Sequence, residues 1–247
     1  MDKIMRYLEQ FSGVPVESAA VKSIIRSFSA PTEFCLVIFI GFGLTIAGTI
    51  YWIILHLSAM PGTSDAMRLT NDGIMEGVIL RLVTLGAVLW IGHIRGWPLA
   101  SFGLQLSWKW TAAGVLLFLV SLYLVQPVLG FVTREVFHTA VNFHRVSELT
   151  LPFIILISIV NPVFEEALEC GYFFQALQRY GMWLTVLASA TFRGFLHTTM
   201  GISGFVFMFG MGLLFGFVYW RWRQLWPLVV AHALQMLYSL LRQALAG

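Results

Sequence analysis

Three carboxylates fall within about one helical turn in Asn161-Pro-Val-Phe-Glu-Glu-Ala-Leu-Glu-Cys-Gly171, namely Glu165, Glu166 and Glu169. The residues before and after them are continuously apolar, so the acids sit about halfway along a segment that reads as a helix in lipid. A charge at the bilayer centre costs about 2.5 to 3.5 kcal/mol on insertion scales, and such a residue has either a partner or a task. Glu165 and Glu169, four apart, are expected on one face, with Glu166 turned about 100° from Glu165. Crowded carboxylates in low dielectric suit general acid/base work. Gluing helices together across a polar cleft would explain a single acid of this kind; three together favour a functional cluster.

Further along the chain, Arg193 and His197 lie one turn apart and share a helix face, which must look at something acidic. His232 is a third basic group inside an apolar segment. A lone histidine on such a helix usually makes an interhelical hydrogen bond, but two of them beside a glutamate cluster point to chemistry. His56, His93, His138 and His144 stand at segment ends or in a loop and read as interfacial. Cys170 reads as a small packing residue beside Gly171 rather than as a nucleophile. The histidines and glutamates could also hold zinc, yet no His-Glu-x-x-His occurs, and the reading is that the site uses no cofactor, with zinc as the open alternative.

The elements that must position these groups follow from composition. Of 247 residues 58% are hydrophobic and 11% charged, and the mean hydropathy is +0.81, which excludes a soluble globular chain. At about 20 residues per span, the length holds a polytopic all-α transmembrane bundle. About seven spans are expected, near 34–57, 73–94, 110–131, 151–177, 182–197, 204–220 and 225–241. Residues 1–28 carry Lys3, Arg6, Lys22 and Arg26 among apolar positions and read as an interfacial amphipathic helix, too polar for a cleavable signal peptide. Two parts are therefore expected: an interfacial segment at 1–32 and the bundle at 33–247. Connections at 95–109 and 133–150 are expected at the headgroups or beyond.

Nine Lys and Arg fall in the N-terminal tail and the loops after spans two, four and six, against four on the opposite side. The positive-inside rule then predicts a protein of the cell membrane with a cytoplasmic N-terminus and the C-terminus across the bilayer. Glu76 and Arg81 are read as lying toward one end of span two, where snorkelling explains them. Gly212 and Gly216 are expected to allow close helix approach. Cys35 and Cys170 are not expected to pair, and no nucleic-acid motif or Lys/Arg run is present.

These residues carry a resemblance. Glu165-Glu166-x-x-x-Cys170-Gly171, Arg193-x-x-x-His197 and Leu225-Trp-Pro-Leu-Val-Val-Ala-His232-Ala-Leu resemble the three motifs of the CAAX-protease and bacteriocin-processing family, the intramembrane glutamic-type endopeptidases also called the Abi family. The likeness runs through Gly212-Leu-Leu-Phe-Gly-Phe-Val-Tyr-Trp-Arg-Trp-Arg223 and covers about 152–238. The chain departs from the family pattern in three places: Cys170 stands where members carry Arg, Arg193 where they carry Phe, and Met236, beside Gln235, where they carry Asn or Asp. The first two departures suggest one hypothesis, that Arg193 returns the lost guanidinium from the neighbouring helix, against Glu166 or Glu169.

The resemblance implies an endopeptidase acting on a membrane-associated protein or peptide. Glu165 and His197 would deprotonate a water, Glu166 would belong to the catalytic set, and His232 would donate to the oxyanion. Gln235 is offset by about 100° from the position of the missing amide. Prenylated tails, leader peptides and sorting-signal tails are all permitted substrates, and oligomeric state is not legible. Two other classes stay in view: a degenerate member acting as a membrane scaffold or immunity and partner-binding protein, favoured by Cys170 and Met236, and a proton-coupled transporter, which lacks the expected internal repeat.

Overall fold

Seven helices make up most of the computed structural model, which describes residues 29–57, 68–97, 99–138 and 145–246. They are α1 Ala30–Leu57, α2 Asn71–Ile94, α3 Trp108–Glu135, α4 Leu151–Tyr180, α5 Met182–Leu196, α6 Ile202–Trp222 and α7 Trp226–Ala246. The interfacial helix expected at 1–28 lies outside the described residues. Six helices are long and apolar enough to cross a membrane, and α5, of 15 residues, is the shorter one. A 15-residue helix rises about 22 Å, less than the roughly 30 Å hydrocarbon layer. The protein is a multi-pass helical membrane bundle.

Local chemistry sets where these helices begin and bend. The Thr70 hydroxyl accepts from the Gly73 amide and the Ser107 hydroxyl from the Trp110 amide, capping α2 and α3. Pro152 occupies the first turn of α4, where its missing N–H costs nothing. Two helices are irregular inside: α3 widens to a π-helix at Ser121–Val125, just ahead of Pro127, and α4 does so at Ala167–Tyr172, after Pro162. π-turns insert a residue into the helical register and recur at functional sites. The three glutamates straddle the second of them.

The connections tie the bundle at both ends. At one end two short segments, β1 Arg68–Thr70 and β2 Arg145–Glu148, pair in parallel with Arg68 opposite Arg145 and Thr70 opposite Glu148. The Asn71 side chain accepts from the Thr150 amide at 3.1 Å beside them. This pairing, absent from the all-helical expectation, satisfies backbone groups that leave the helices. It also puts the starts of α2 and α4 at the same end, so α2 and α3 run out and back.

At the other end a 3-10 turn, Leu99–Phe102, docks on the α6–α7 turn: Tyr219 donates to the Phe102 carbonyl at 3.1 Å and the Leu225 amide to the Gly103 carbonyl at 2.9 Å. Gly103 has φ +68, and a Cβ there would fall 1.9 Å from the Arg223 carbonyl oxygen, so only glycine fits. Trp226 Nε1 donates to Thr111 at 2.8 Å, fastening α7 to the start of α3. Glu33 at the start of α1 pairs with Arg95 at the end of α2.

Three apolar clusters form the interior, and α4 contributes to each. Ile154 and Ile157 pack with Ile74, Val78 and Leu240; Phe164 and Leu168 with Val37, Phe42, Val88 and Ile91; Phe173 and Phe174 with Val186, Phe215 and Leu228. The helix that carries the acids is therefore the central one, which is why Glu166 and Glu169 are shielded from both lipid and water. Outward faces of α1, α2 and α3 expose large apolar side chains such as Leu44, Val83 and Leu116, as a lipid-facing wall does.

One placement differs from expectation. Arg81 is not near an end of α2 but eleven residues into the 24 of Asn71–Ile94. Its side chain lies back along the helix, since a Cβ on Gly77 would come 2.6 Å from the Arg81 Nη1. Side chains lean toward the helix N-terminus, so snorkelling starts from a mid-helix root and runs over a glycine.

Candidate active site

α4, α5 and α7 bring Glu165, Glu166, Glu169, Arg193, His197 and His232 into one cluster midway through the bundle. α5 reaches α4 because α6 packs hard behind it: a Cβ on Gly212 would fall 2.8 Å from Ala190 Cα and 3.4 Å from Arg193 Cδ, and one on Gly216 would fall 3.0 Å from Val186 Cγ1. The two glycines thus allow the close approach expected of them. Phe215 on α6 fills the space between Arg193 and His232, with the guanidinium 5.5 Å from its ring centre and the imidazole 6.3 Å away edge to face.

The guanidinium of Arg193 lies against two carboxylates at once. Its Nη2 donates to Glu166 Oε1 at 2.7 Å, and its Nε is 2.6 Å from Glu169 Oε2. Both glutamates are fully buried and Arg193 nearly so. Two buried carboxylates share one guanidinium, and His232 adds a contact to one of them, its Nδ1 lying 2.8 Å from Glu166 Oε1; Ser189 donates to the backbone carbonyl of Glu169 at 2.7 Å and so holds that turn rather than the carboxylate. Pairing and hydrogen bonding of this kind are what make buried charge tolerable.

The expected pairing of faces is corrected here. Glu169 was expected to stack with Glu165, yet Arg193 binds it together with Glu166. The π-turn that begins at Ala167 shifts the register beyond Glu166, and Glu165 is left alone toward open space. Its Oε1 accepts from Asn161 Nδ2 at 2.7 Å, and its Oε2 is buried without a hydrogen bond, with His232 Nε2 at 3.8 Å.

That open space is a cavity of about 870 Å³ between α3, α6 and α7, reaching back to α4 and α5. Glu165, Asn161, Arg193, His197, His232, Gln235 and Met236 line its inner end, while Tyr123, Pro127 and Tyr238 stand on its outer wall. Glu166 and Glu169 are not among its lining residues. Within the cluster the acids thus divide, with Glu165 facing the cavity and the other two facing Arg193.

Hydrogen-bond partners fix how the imidazoles present themselves. His197 Nδ1 is 2.8 Å from the Arg193 carbonyl oxygen. A carbonyl only accepts, so Nδ1 carries the proton and the neutral ring offers Nε2 as an acceptor. His232 sets Nδ1 2.8 Å from the Glu166 carboxylate, and a ring protonated on both nitrogens would also donate from Nε2 toward Glu165 and the cavity. An acceptor ring, a carboxylate with a free oxygen and a second ring able to donate, all on one cavity, can take a proton from water and stabilise an oxyanion.

Gln235 lines the cavity but is turned away from the glutamates, its Nε2 donating to Ser121 at 2.5 Å on the π-turn of α3. Met236 places its sulfur 3.9 Å from Asn161 Nδ2. Cys170 is buried in the core cluster with Phe173 and Phe215, as a packing residue is. Asn161 and Phe215 were not singled out from the sequence. A signal existed for Asn161, a polar side chain one turn before Glu165 in an apolar helix and so on its face; nothing in the sequence marks Phe215 apart from the other aromatics.

Residues 147–238 match the family model described as Rce1-like, type II CAAX prenyl endopeptidase. The matched stretch contains every residue of the cluster, and the three motifs resemble the same family. Over that stretch the chain is similar to the CAAX-protease type. Neither a curated protein nor a solved structure matches it.

Proposed function

We propose that this protein is an intramembrane endopeptidase that hydrolyses a peptide bond of a membrane-associated protein or peptide with a water activated by Glu165 and His197. The observation that carries this reading is that the free oxygen of Glu165, His197 and His232 share one cavity. In the step proposed, Glu165 Oε2 and His197 Nε2 hold the water. The carboxylate takes one proton as the water oxygen bonds to the substrate carbonyl carbon. His232 donates from Nε2 to the developing oxyanion. As the tetrahedral adduct collapses, the C–N bond breaks and the proton passes from Glu165 to the leaving nitrogen. Glu166, named with the catalytic set from the sequence, is here a positioning residue that orients His232 and neutralises Arg193. No metal takes part, and the surrounding bundle keeps bulk water from the adduct.

The substrate reaches the site from lipid along the cavity between α3 and α7. The protein sits in the cell membrane with its N-terminus cytoplasmic and its C-terminus across the bilayer. The basic residues Arg95, Lys109, Arg179, Arg221 and Arg223 gather at the end that this orientation makes cytoplasmic, which supports it.

Purified protein in detergent, challenged with prenylated C-terminal tails, leader peptides and sorting-signal tails, tests this reading. Glu165→Gln keeps the shape and removes the base; it and His197→Ala should each slow cleavage by at least about 100-fold, with chelator having no effect on the parent. Chelator-sensitive cleavage would bring zinc back. Met236, a thioether where the family carries Asn or Asp, favours one alternative, a non-catalytic scaffold or partner-binding member. A folded parent that cleaves nothing across the panel would establish that alternative.

A further inference from the structure

A site that stabilises an oxyanion gains from an amide N–H donor beside its imidazole, and the position where the motif would supply it holds Met236. An amide in contact with that position stands on another helix. Asn161 is buried on α4 and lines the inner end of the cavity. One N–H of its Nδ2 is committed to Glu165 Oε1 at 2.7 Å. The other faces the sulfur of Met236 at 3.9 Å, a weak acceptor that a carbonyl oxygen entering the cavity readily displaces. Its Oδ1 is buried without a partner, so the side chain is held from one atom only and aimed by it.

We infer that Asn161 supplies the amide of this site, fixing Glu165 Oε1 with one N–H and donating the other to the oxyanion of the substrate. The inference rests on the protease reading above. Geometry explains why the two tasks fit one group. Anchoring Oε1 turns Oε2 of Glu165 toward the water. The same nitrogen, one turn earlier on α4, lies between the carboxylate of Glu165 and the sulfur of Met236. The carbonyl carbon then lies between the water held by Glu165 and an oxygen held by Asn161 and His232. Met236 is thereby tolerated at its position, because the amide it lacks arrives from α4.

The test compares Asn161→Ala, Asn161→Asp and the double variant Asn161→Ala/Met236→Asn, each confirmed as folded by thermal unfolding in detergent. Asn161→Ala should lower kcat by about 100- to 1,000-fold and leave KM within about threefold. Asn161→Asp should fall as far, since a carboxylate accepts where the amide donates. The double variant should recover at least about tenfold in kcat, because an amide at 236 reaches the same spot; a merely structural role for Asn161 would give no such rescue. The same proteins are compared for binding of a peptide aldehyde, whose hydrate mimics the tetrahedral adduct, against the matching peptide alcohol. The parent should prefer the aldehyde, and Asn161→Ala should lose about 100-fold of that preference. A cleaving parent whose folded Asn161→Ala keeps kcat within about threefold, or a double variant no faster than Asn161→Ala, overturns the assignment alone. A parent that neither cleaves nor prefers the aldehyde overturns the protease reading with it.

Discussion

Replacing Arg193 by Phe, the residue of the family pattern, tests how the buried charge is held. In the protein one guanidinium faces Glu166 at 2.7 Å and Glu169 at 2.6 Å, and both acids have no exposed surface. Removing one partner of a buried pair costs about 3 to 5 kcal/mol, because the charge left behind has neither water nor a counter-ion. For a chain of this size about 1 kcal/mol shifts Tm by roughly 2 to 4 °C, so Arg193→Phe should lower Tm by about 6 to 20 °C. The second half of the experiment adds Cys170→Arg. Position 170 follows Glu169 directly and lies four residues after Glu166 on the same helix, and its side chain is buried in the adjoining core. A guanidinium from there should recover at least half of the lost Tm. Tryptophan fluorescence during thermal unfolding in detergent reads both, with nine Trp as reporters. A fall below about 2 °C in Arg193→Phe would refute the pairing energetics. A double variant no more stable than the single one would refute the idea that Arg193 does for this chain what an arginine at 170 does in the family pattern.

Two more outcomes follow from packing and topology. Gly212→Leu should cost about 1 to 3 kcal/mol and reduce cleavage with it, because the new side chain meets Ala190 backbone at 2.8 Å. Gly86→Leu, with no atom within 4 Å of the added Cβ, should leave Tm within about 2 °C; equal losses at both positions would contradict the close α5–α6 contact. Single cysteines placed at Arg179 and at His138, in a Cys35→Ser/Cys170→Ser background, should be labelled by an impermeant maleimide from opposite faces of sealed vesicles, Arg179 from the cytoplasmic one. Labelling of both from one face would overturn the proposed orientation.

The helices were legible in the sequence because lipid makes one demand on the chain, continuous apolar runs of sufficient length. All seven expected runs contain a helix, and α5, of 15 residues, is the shortest of them. The two π-turns were not legible: Pro127 and Pro162 hinted at irregularity, but proline does not say how the register is repaired. That gap decided which glutamates share a face, since the shift at Ala167 sends Glu169 to Arg193 with Glu166. Spacing alone had paired it with Glu165. The cluster itself was legible from the cost of charge in hydrocarbon, and Arg193 from the loss at Cys170. Asn161 escaped because its contact with Met236 joins residues 75 apart, a proximity that no local pattern encodes. The β1–β2 pairing escaped for the same reason.

α3 is fastened at its start, where Trp226 holds Thr111, and widens into its π-turn at Ser121, the point from which the cavity begins to be lined. Tyr123 and Pro127, both exposed, stand on that wall. A hydrolase entered through such a side wall meets its substrate by diffusion in two dimensions, and the concentration it responds to is a mole fraction in the lipid or micelle. Apparent KM values should then rise in proportion as inert detergent is added at constant substrate and enzyme, while kcat stays level. Inhibitors should rank by their partitioning into the bilayer as much as by their fit to Glu165 and the two histidines.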